Sequence, residues 1–171
     1  MKAKIAILTS SQGKNTQKVA EILQEMMPDG ISLESIDIDK SDGSELKDYK
    51  HLIMGLSTWF DGEIPFYWDE FLPSIEDQSF KGKKVAIYSL GDAKNYPDNF
   101  CDAIGVLSEW LEKRDAKIIG CVSTKGYHFD TSYYIDNDEF KGLPVEFNVE
   151  DSDWERKLSD WSKQILKEFT L

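Results

Sequence analysis

A chain of 171 residues in which 32 acidic side chains outnumber 20 basic ones carries a formal charge of −12. That balance argues against nucleic acid and anionic membrane as partners, since both would be repelled, and favours the basic surface of another protein. The length suits one domain, residues 1–171, with a substantial core; no Pro- or Gly-rich linker divides it, and no apolar run approaches the roughly 18 residues of a membrane span.

The chain enters its first element with no apolar targeting core ahead of it, as expected for a soluble, cytoplasmic protein. Ile5-Ala6-Ile7-Leu8 is a short continuous apolar run, the pattern of a strand buried on both faces of a parallel sheet. Val19, Leu23, Met26 and Met27 then recur at helical spacing. Between them lies a loop of small polar residues that offers hydroxyls and backbone N–H groups to an anion at a helix N-terminus, where the helix dipole favours negative charge. Taken alone, this stretch is equally an ordinary strand-to-helix turn.

Pro28-Asp29-Gly30 breaks the helix, and Ile31 to Ile38 reads as a second, partly alternating strand. Leu52 to Leu56 is a third buried strand, which opens into Ser57-Thr58-Trp59-Phe60-Asp61-Gly62-Glu63-Ile64-Pro65, a loop with large aromatics where solvent is expected. A helix from about Tyr67 to Ile75 follows. The fourth strand, Val85 to Leu90, ends in the polar loop Gly91 to Asn99, and a helix over about 100–113 buries Ile104, Leu107 and Leu111. A fifth strand is predicted over Ile118 to Val122. Cys101 and Cys121 lie in apolar surroundings outside any ligand-spaced cluster and are expected as buried free thiols, a usage that suits a reducing compartment.

From Ser123 to about Asp151 the pattern lapses into polar and aromatic residues, too long for an ordinary connection, with an extra strand expected near Phe140 to Glu146. This reads as an insertion packed on one edge of the sheet. The last helix carries Trp154, Leu158, Trp161, Ile165 and Phe169 along one apolar stripe.

Alternating strands and helices imply a doubly wound, five-stranded parallel α/β sheet covered by helices on both faces. In the flavodoxin-like order 2-1-3-4-5, ligands lie at the C-terminal strand ends, in the crevice between strands one and three. The three unusual loops follow strands one, three and four, so they should converge there. An anion cradle, two aromatic plates and polar backbone between them suit a planar heteroaromatic phosphate ester.

Those loops also carry a resemblance. Asn15-Thr16, Ser57-Thr58-Trp59 with Gly62-Glu63, Gly91-Asp92 with Tyr96-Pro97-Asp98-Asn99-Phe100, and Gly126-Tyr127-His128-Phe129 with Phe140-Lys141-Gly142-Leu143 in the insertion are similar, in content and order, to a long-chain flavodoxin over essentially the whole chain. The resemblance implies non-covalently bound FMN and a low-potential carrier that shuttles single electrons between redox proteins, acting as a monomer rather than as an enzyme with its own substrate. It implies that Trp59 and Tyr96 flank the flavin ring and that Ser57 and Thr58 border it, with Asn99 at its polar edge. It further implies phosphate contacts from Ser11, Asn15 and Thr16 within a loop that also includes Ser10, Gln12, Gly13 and Lys14. Phe60, Gly62, Leu90, Gly91, Asp92 and Asn148 complete the implied cofactor-binding set.

Two departures mark the loops. The family's usual Thr-x-Thr-Gly-Asn-Thr is matched without gaps by Ser11-Gln12-Gly13-Lys14-Asn15-Thr16, so a hydroxyl is lost and Lys14 fills a Gly position. The usual Gly-Asp-Gln-x-Gly-Tyr becomes Gly91-Asp92-Ala93-Lys94-Asn95-Tyr96, with Asn95, a residue that tolerates positive φ, at the second Gly.

The rival readings are a flavodoxin-like FMN-dependent reductase and a binding module of this fold that no longer holds FMN. A phosphoacceptor receiver domain would need an Asp after strand three and an acidic pair after strand one, where the chain has Leu56-Ser57-Thr58 and Thr9-Ser10. A nucleotide hydrolase loop would need Gly at Leu8 and a hydroxyl at Asn15. His51 and His128 are read as structural.

Overall fold

The computed structural model describes residues 3–171. In chain order the elements are β1 (Ala3–Thr9), α1 (Lys14–Glu25), β2 (Ile31–Asp37), β3 (His51–Ser57), α2 (Phe66–Phe71), β4 (Lys84–Leu90), α3 (Asp102–Glu112), β5 (Lys117–Ile119), β6 (Val122–Ser123), β7 (Glu139–Phe140), β8 (Leu143–Val145) and α4 (Trp154–Phe169). Short 3₁₀ turns cover Ser44–Asp48, Leu72–Ile75 and Pro97–Asn99. The helix expected to run to Ile75 tightens into the second of these at Leu72, because Pro73 lacks the N–H that would continue it.

The main sheet has the parallel order β2-β1-β3-β4-β5. Successive residues of the central strands alternate between two cores. Ala6, Leu8, Leu52 and Met54 face the helices α2 and α3, while Ile5, Ile7 and Ile53 face α1 and α4. Continuous apolar runs are therefore required in β1, β3 and β4, since neither face meets solvent. In α4 the stripe seen in the sequence lies inward, with Leu158, Trp161, Ile165 and Phe169 buried.

The fifth strand departs from the expected span. It stops at Ile119, where Gly120 takes a left-handed φ of 74° and Trp161 Nε1 donates to its carbonyl at 2.8 Å. The chain leaves the sheet at that point, and Val122–Ser123 pairs antiparallel with Glu139–Phe140 in a separate small ribbon. It returns as β8, which pairs with Tyr88 to Leu90 of β4, whereas β5 pairs with Lys84 to Ala86. One sheet position is thus filled by two short strands, with residues 120–142 inserted between them. The extra strand expected near 140–146 is this second half.

Cys101 is buried, but Cys121 is only partly so, contrary to the expectation for both.

Candidate functional site

The parallel order places the ends of β1, β3 and β4 side by side, and the three loops meet there. The first loop is buckled to the end of β2. Asp39 accepts from the Ser10 hydroxyl at 2.7 Å, the Ser11 hydroxyl at 2.7 Å and the Gln12 side-chain amide at 3.3 Å, and Asp37 accepts from the Ser11 N–H at 3.1 Å. Burial pushes the Asp39 carboxyl up, but the hydrogen bonds from Ser10, Ser11 and Gln12 together outweigh it and hold the pKa below the usual carboxylate range. Ser10 also accepts from the Gln12 N–H at 3.0 Å, which closes the turn.

Helix α1 begins beyond that turn, with Gly13 at the N-cap and no side chain capping its first turn. Thr16, buried in that turn, shares a 3.3 Å hydrogen bond with Ser57 at the end of β3. Lys14 and Asn15 are exposed beside it. The open first-turn amides and the Thr16 and Ser57 hydroxyls form a seat for an anion.

The second loop closes on itself: the Trp59 and Glu63 backbones exchange two hydrogen bonds of 2.8 Å, with Phe60 at φ 44° and Gly62 at φ 91°. Trp59 is held by T-shaped packing on Tyr67, ring centroids 5.5 Å apart, and by a tilted contact with Phe66 at 5.8 Å. Thr58 ties this loop to its neighbours, since its hydroxyl lies 3.1 Å from the Ser89 hydroxyl and accepts from the Ala103 N–H at 3.2 Å.

In the third loop Asp92 organises the turn that carries Tyr96. Its carboxylate accepts from the N–H groups of Lys94 and Asn95, both at 3.1 Å, and from the Asn95 side chain at 2.5 Å, while its carbonyl accepts from the Tyr96 N–H at 2.9 Å. Asn95 thus serves through its side chain; its backbone is not among those with positive φ. Glu146, beyond β8, accepts from the Ala93 N–H at 3.2 Å.

Between the second and third loops is a cavity of about 430 Å³ lined by Trp59, Phe60, Tyr96, Asn99, Thr58 and the Gly91-Asp92 backbone, with Phe100 and Cys101 at its base. Its size falls in the range of small-ligand and cofactor sites. Tyr96 is 60% exposed and Phe60 75%, so the cavity has aromatic walls open to solvent on one side. Burial pushes the Cys101 thiol well above its ordinary pKa, so it lines the cavity as an inert neutral group.

The family model described as flavodoxin matches residues 7–161. The chain is 36% identical to the flavodoxin of Buchnera aphidicola over 167 residues, 97% of each chain. It is 35% identical to flavodoxin 1 of Escherichia coli over 166 residues, which is 96% of this chain and 94% of that one. The chain belongs to the flavodoxin family. Among solved structures, the Fusobacterium nucleatum flavodoxin bound to flavin mononucleotide superposes with a TM-score of 0.86 at 25% identity, over 96% of this chain and 98% of that one. Membership makes it an electron-transfer protein serving redox partners rather than an enzyme.

Of the flavodoxin site residues named from sequence, Thr58, Trp59, Phe60, Gly91, Asp92, Tyr96 and Asn99 line the one cavity. Thr16 and Ser57 meet at the head of α1, and Ser10, Ser11 and Gln12 point to Asp39. Leu90 contributes its carbonyl to the Thr58 N–H, and Asn148 is exposed on the loop after β8, outside the cavity lining. Sequence reading missed Asp39, Asp102 and Glu146, whose partners lie far along the chain. His51 packs on Phe169 at the opposite end of β3, and His128 is exposed in the insertion.

Proposed function

We propose that the chain carries single electrons on FMN whose ring lies between Trp59 and Tyr96 and whose phosphate sits at the N-terminus of α1. The observation that carries this reading is the pair of aromatics brought from two separate loops to one cavity beside an uncapped helix terminus. The FMN-bound Fusobacterium nucleatum flavodoxin of the same fold supports it. When bound, the flavin supplies the redox chemistry. The chain's residues bind it, orient it and set its charge environment.

Thr58 and Asn99 border the ring from the cavity wall, and the first-turn amides of α1 with Thr16 and Ser57 hold the phosphate, joined by Asn15 and Lys14. Asp92 lines the cavity, and Asp61, Glu63 and Asp98 stand on the same loops. Carboxylates there make negative charge on the ring costly and so lower its potential. A reductase acting on a substrate of its own would need a substrate pocket over the flavin, whereas the large aromatics Trp59 and Phe60 on the second loop favour a covered ring.

Exposed Phe60, Phe66 and Tyr96 form an apolar patch among these acids. That surface fits partners with an apolar contact ringed by basic residues. With both sheet faces covered, the reading is of a single-domain monomer working in the cytoplasm; among the described residues no helix is long and apolar enough to cross a membrane.

The visible spectrum of the purified protein tests this. The reading expects flavin bands, with FMN as the flavin released on denaturation and one equivalent restored on reconstitution. Protein that is colourless and does not take up FMN would overturn it.

A further inference from the structure

The insertion makes a continuous set of bonds to the loop that carries Tyr96. The N–H groups of Asp130 and Thr131 donate to the Pro97 carbonyl at 2.9 and 3.0 Å, and the Thr131 hydroxyl donates to the Asp98 carbonyl. The Phe100 N–H donates to the Thr131 carbonyl at 3.2 Å, and the Ser132 hydroxyl returns to the Phe100 carbonyl at 2.5 Å. Phe129 stacks on Phe100, centroids 5.4 Å apart. A Cβ on Gly105 would overlap the Tyr133 carbonyl, so the segment's backbone lies directly on α3.

The next residue of the same segment, Tyr133, reaches Asp102, a carboxylate only 8% exposed at the start of α3. One oxygen accepts from the Tyr133 N–H at 2.7 Å. The other accepts from the Asn99 side-chain nitrogen at 3.2 Å, and that same nitrogen donates to the Asp61 carbonyl at 3.1 Å. A Cβ on Gly62 would overlap this second oxygen. One buried group therefore bonds the insertion and the third loop and presses against the second.

We propose that Asp102 is a positioning residue through which residues 130–133 fix the separation of the loops carrying Trp59 and Tyr96. This rests on the reading of those loops as the flavin clamp, and it gives the insertion a task within that site. The chemistry demands a carboxylate. Tyr133 N–H and Asn99 Nδ2 are both donors and address different oxygens of Asp102, so at this geometry both branches of the side chain must accept. In Asp102→Asn the new amide nitrogen must face one of them. Either Tyr133 loses its acceptor, or Asn99 turns its oxygen inward and lets go of the Asp61 carbonyl.

The test compares wild type, Asp102→Asn, Asn99→Ala and the double variant by affinity for FMN and for riboflavin, and by amide hydrogen exchange of the flavin-free proteins. Asp102→Asn should weaken both flavins by the same factor, about five- to tenfold, as for loss of one ordinary hydrogen bond. Exchange should quicken at 60–63 and 96–100 and stay unchanged in β1 and β3. In the Asn99→Ala background the second substitution should add little. Unchanged exchange at both loops, a loss confined to FMN, or full additivity of the two substitutions would overturn the proposal. If Asp102→Asn does not fold, Ser132→Ala decides, because it removes just one bond to the Phe100 carbonyl. It should quicken exchange at 96–100 and weaken both flavins equally, and no change in either would refute the brace. Failure of wild type to bind either flavin would instead contradict the FMN reading, with the exchange comparison still deciding the role of Asp102.

Discussion

The Tyr88 hydroxyl donates to the Thr16 carbonyl at 2.7 Å, so the middle of β4 holds the first turn of α1, the helix proposed to seat the FMN phosphate. Tyr88 is fully buried, and burial pushes its phenol far above the ordinary range, which keeps it protonated and able to donate. Its ring crosses the space left by Gly55 in β3, where a Cβ would overlap it.

Gly55→Ala is therefore expected to destabilise the flavin-free protein by about 1–3 kcal/mol through overpacking. Tyr88→Phe, which leaves the Thr16 carbonyl with its helical partner, should cost about 0.5–1.5 kcal/mol. Urea unfolding of both variants measures this. A Gly55→Ala protein as stable as wild type would show that the Tyr88 ring is free to move aside.

Lys14 stands exposed on the first turn of α1, where the family usually has Gly. Lys14→Ala is expected to weaken FMN by about tenfold at low salt, the lower part of the range for a charge-assisted contact, and to leave riboflavin nearly untouched. The loss should shrink as salt rises. Equal effects on both flavins, or none, would assign the phosphate to Thr16, Ser57, Asn15 and the helix terminus.

His51 packs on Phe169 with its Nδ1 buried and unpartnered. Burial first, then Lys84 and Lys50, lowers its pKa below the ordinary 6.5. The unfolded state therefore takes up a proton that the folded state refuses, so stability falls as pH drops below 6.5. Asp37 and Asp39, whose pKa values are lowered, add their loss only as pH falls through their unfolded value of 3.8. Denaturant midpoints across this range should decline in wild type and flatten in His51→Gln between those two windows. A wild-type midpoint that does not move below pH 6.5 would contradict the assignment.

The charge of −12 should steer association with a basic redox partner, an effect screened over about 8 Å at physiological ionic strength. Second-order electron-transfer rates are expected to fall as salt rises. Rates that are flat or rising would remove the carboxylates around Tyr96 and Phe60 from partner recognition.

What was legible in the sequence was what local pattern controls. β1, β3 and β4 announce themselves as continuous apolar runs because both faces are covered, and the stripe of α4 follows its one buried face. Trp59 and Tyr96 stood out because large aromatics interrupted polar loops after buried strands. The break in the fifth strand was hidden because Ile118 to Val122 is apolar throughout; the turn at Gly120 depends on Trp161, forty-one positions away. Asp39 and Asp102 were equally silent, since a carboxylate in an acidic chain carries no local mark of the distant donors it collects. The role of Asn95 was misread for a related reason: its side-chain bond to Asp92, rather than its backbone, meets the need of the turn.

The measurement that bears most directly on the account is the fluorescence of FMN titrated into the flavin-free protein and into its Trp59→Ala and Tyr96→Ala variants. Stacking between the two rings predicts nearly complete quenching of flavin emission in wild type, at one equivalent. Each substitution should restore part of the emission and weaken FMN and riboflavin alike, by roughly 0.5–1.5 kcal/mol of ring contact plus the lost burial. Bright flavin in the wild-type complex, or substitutions that leave both quenching and affinity unchanged, would contradict the placement of the cofactor between Trp59 and Tyr96.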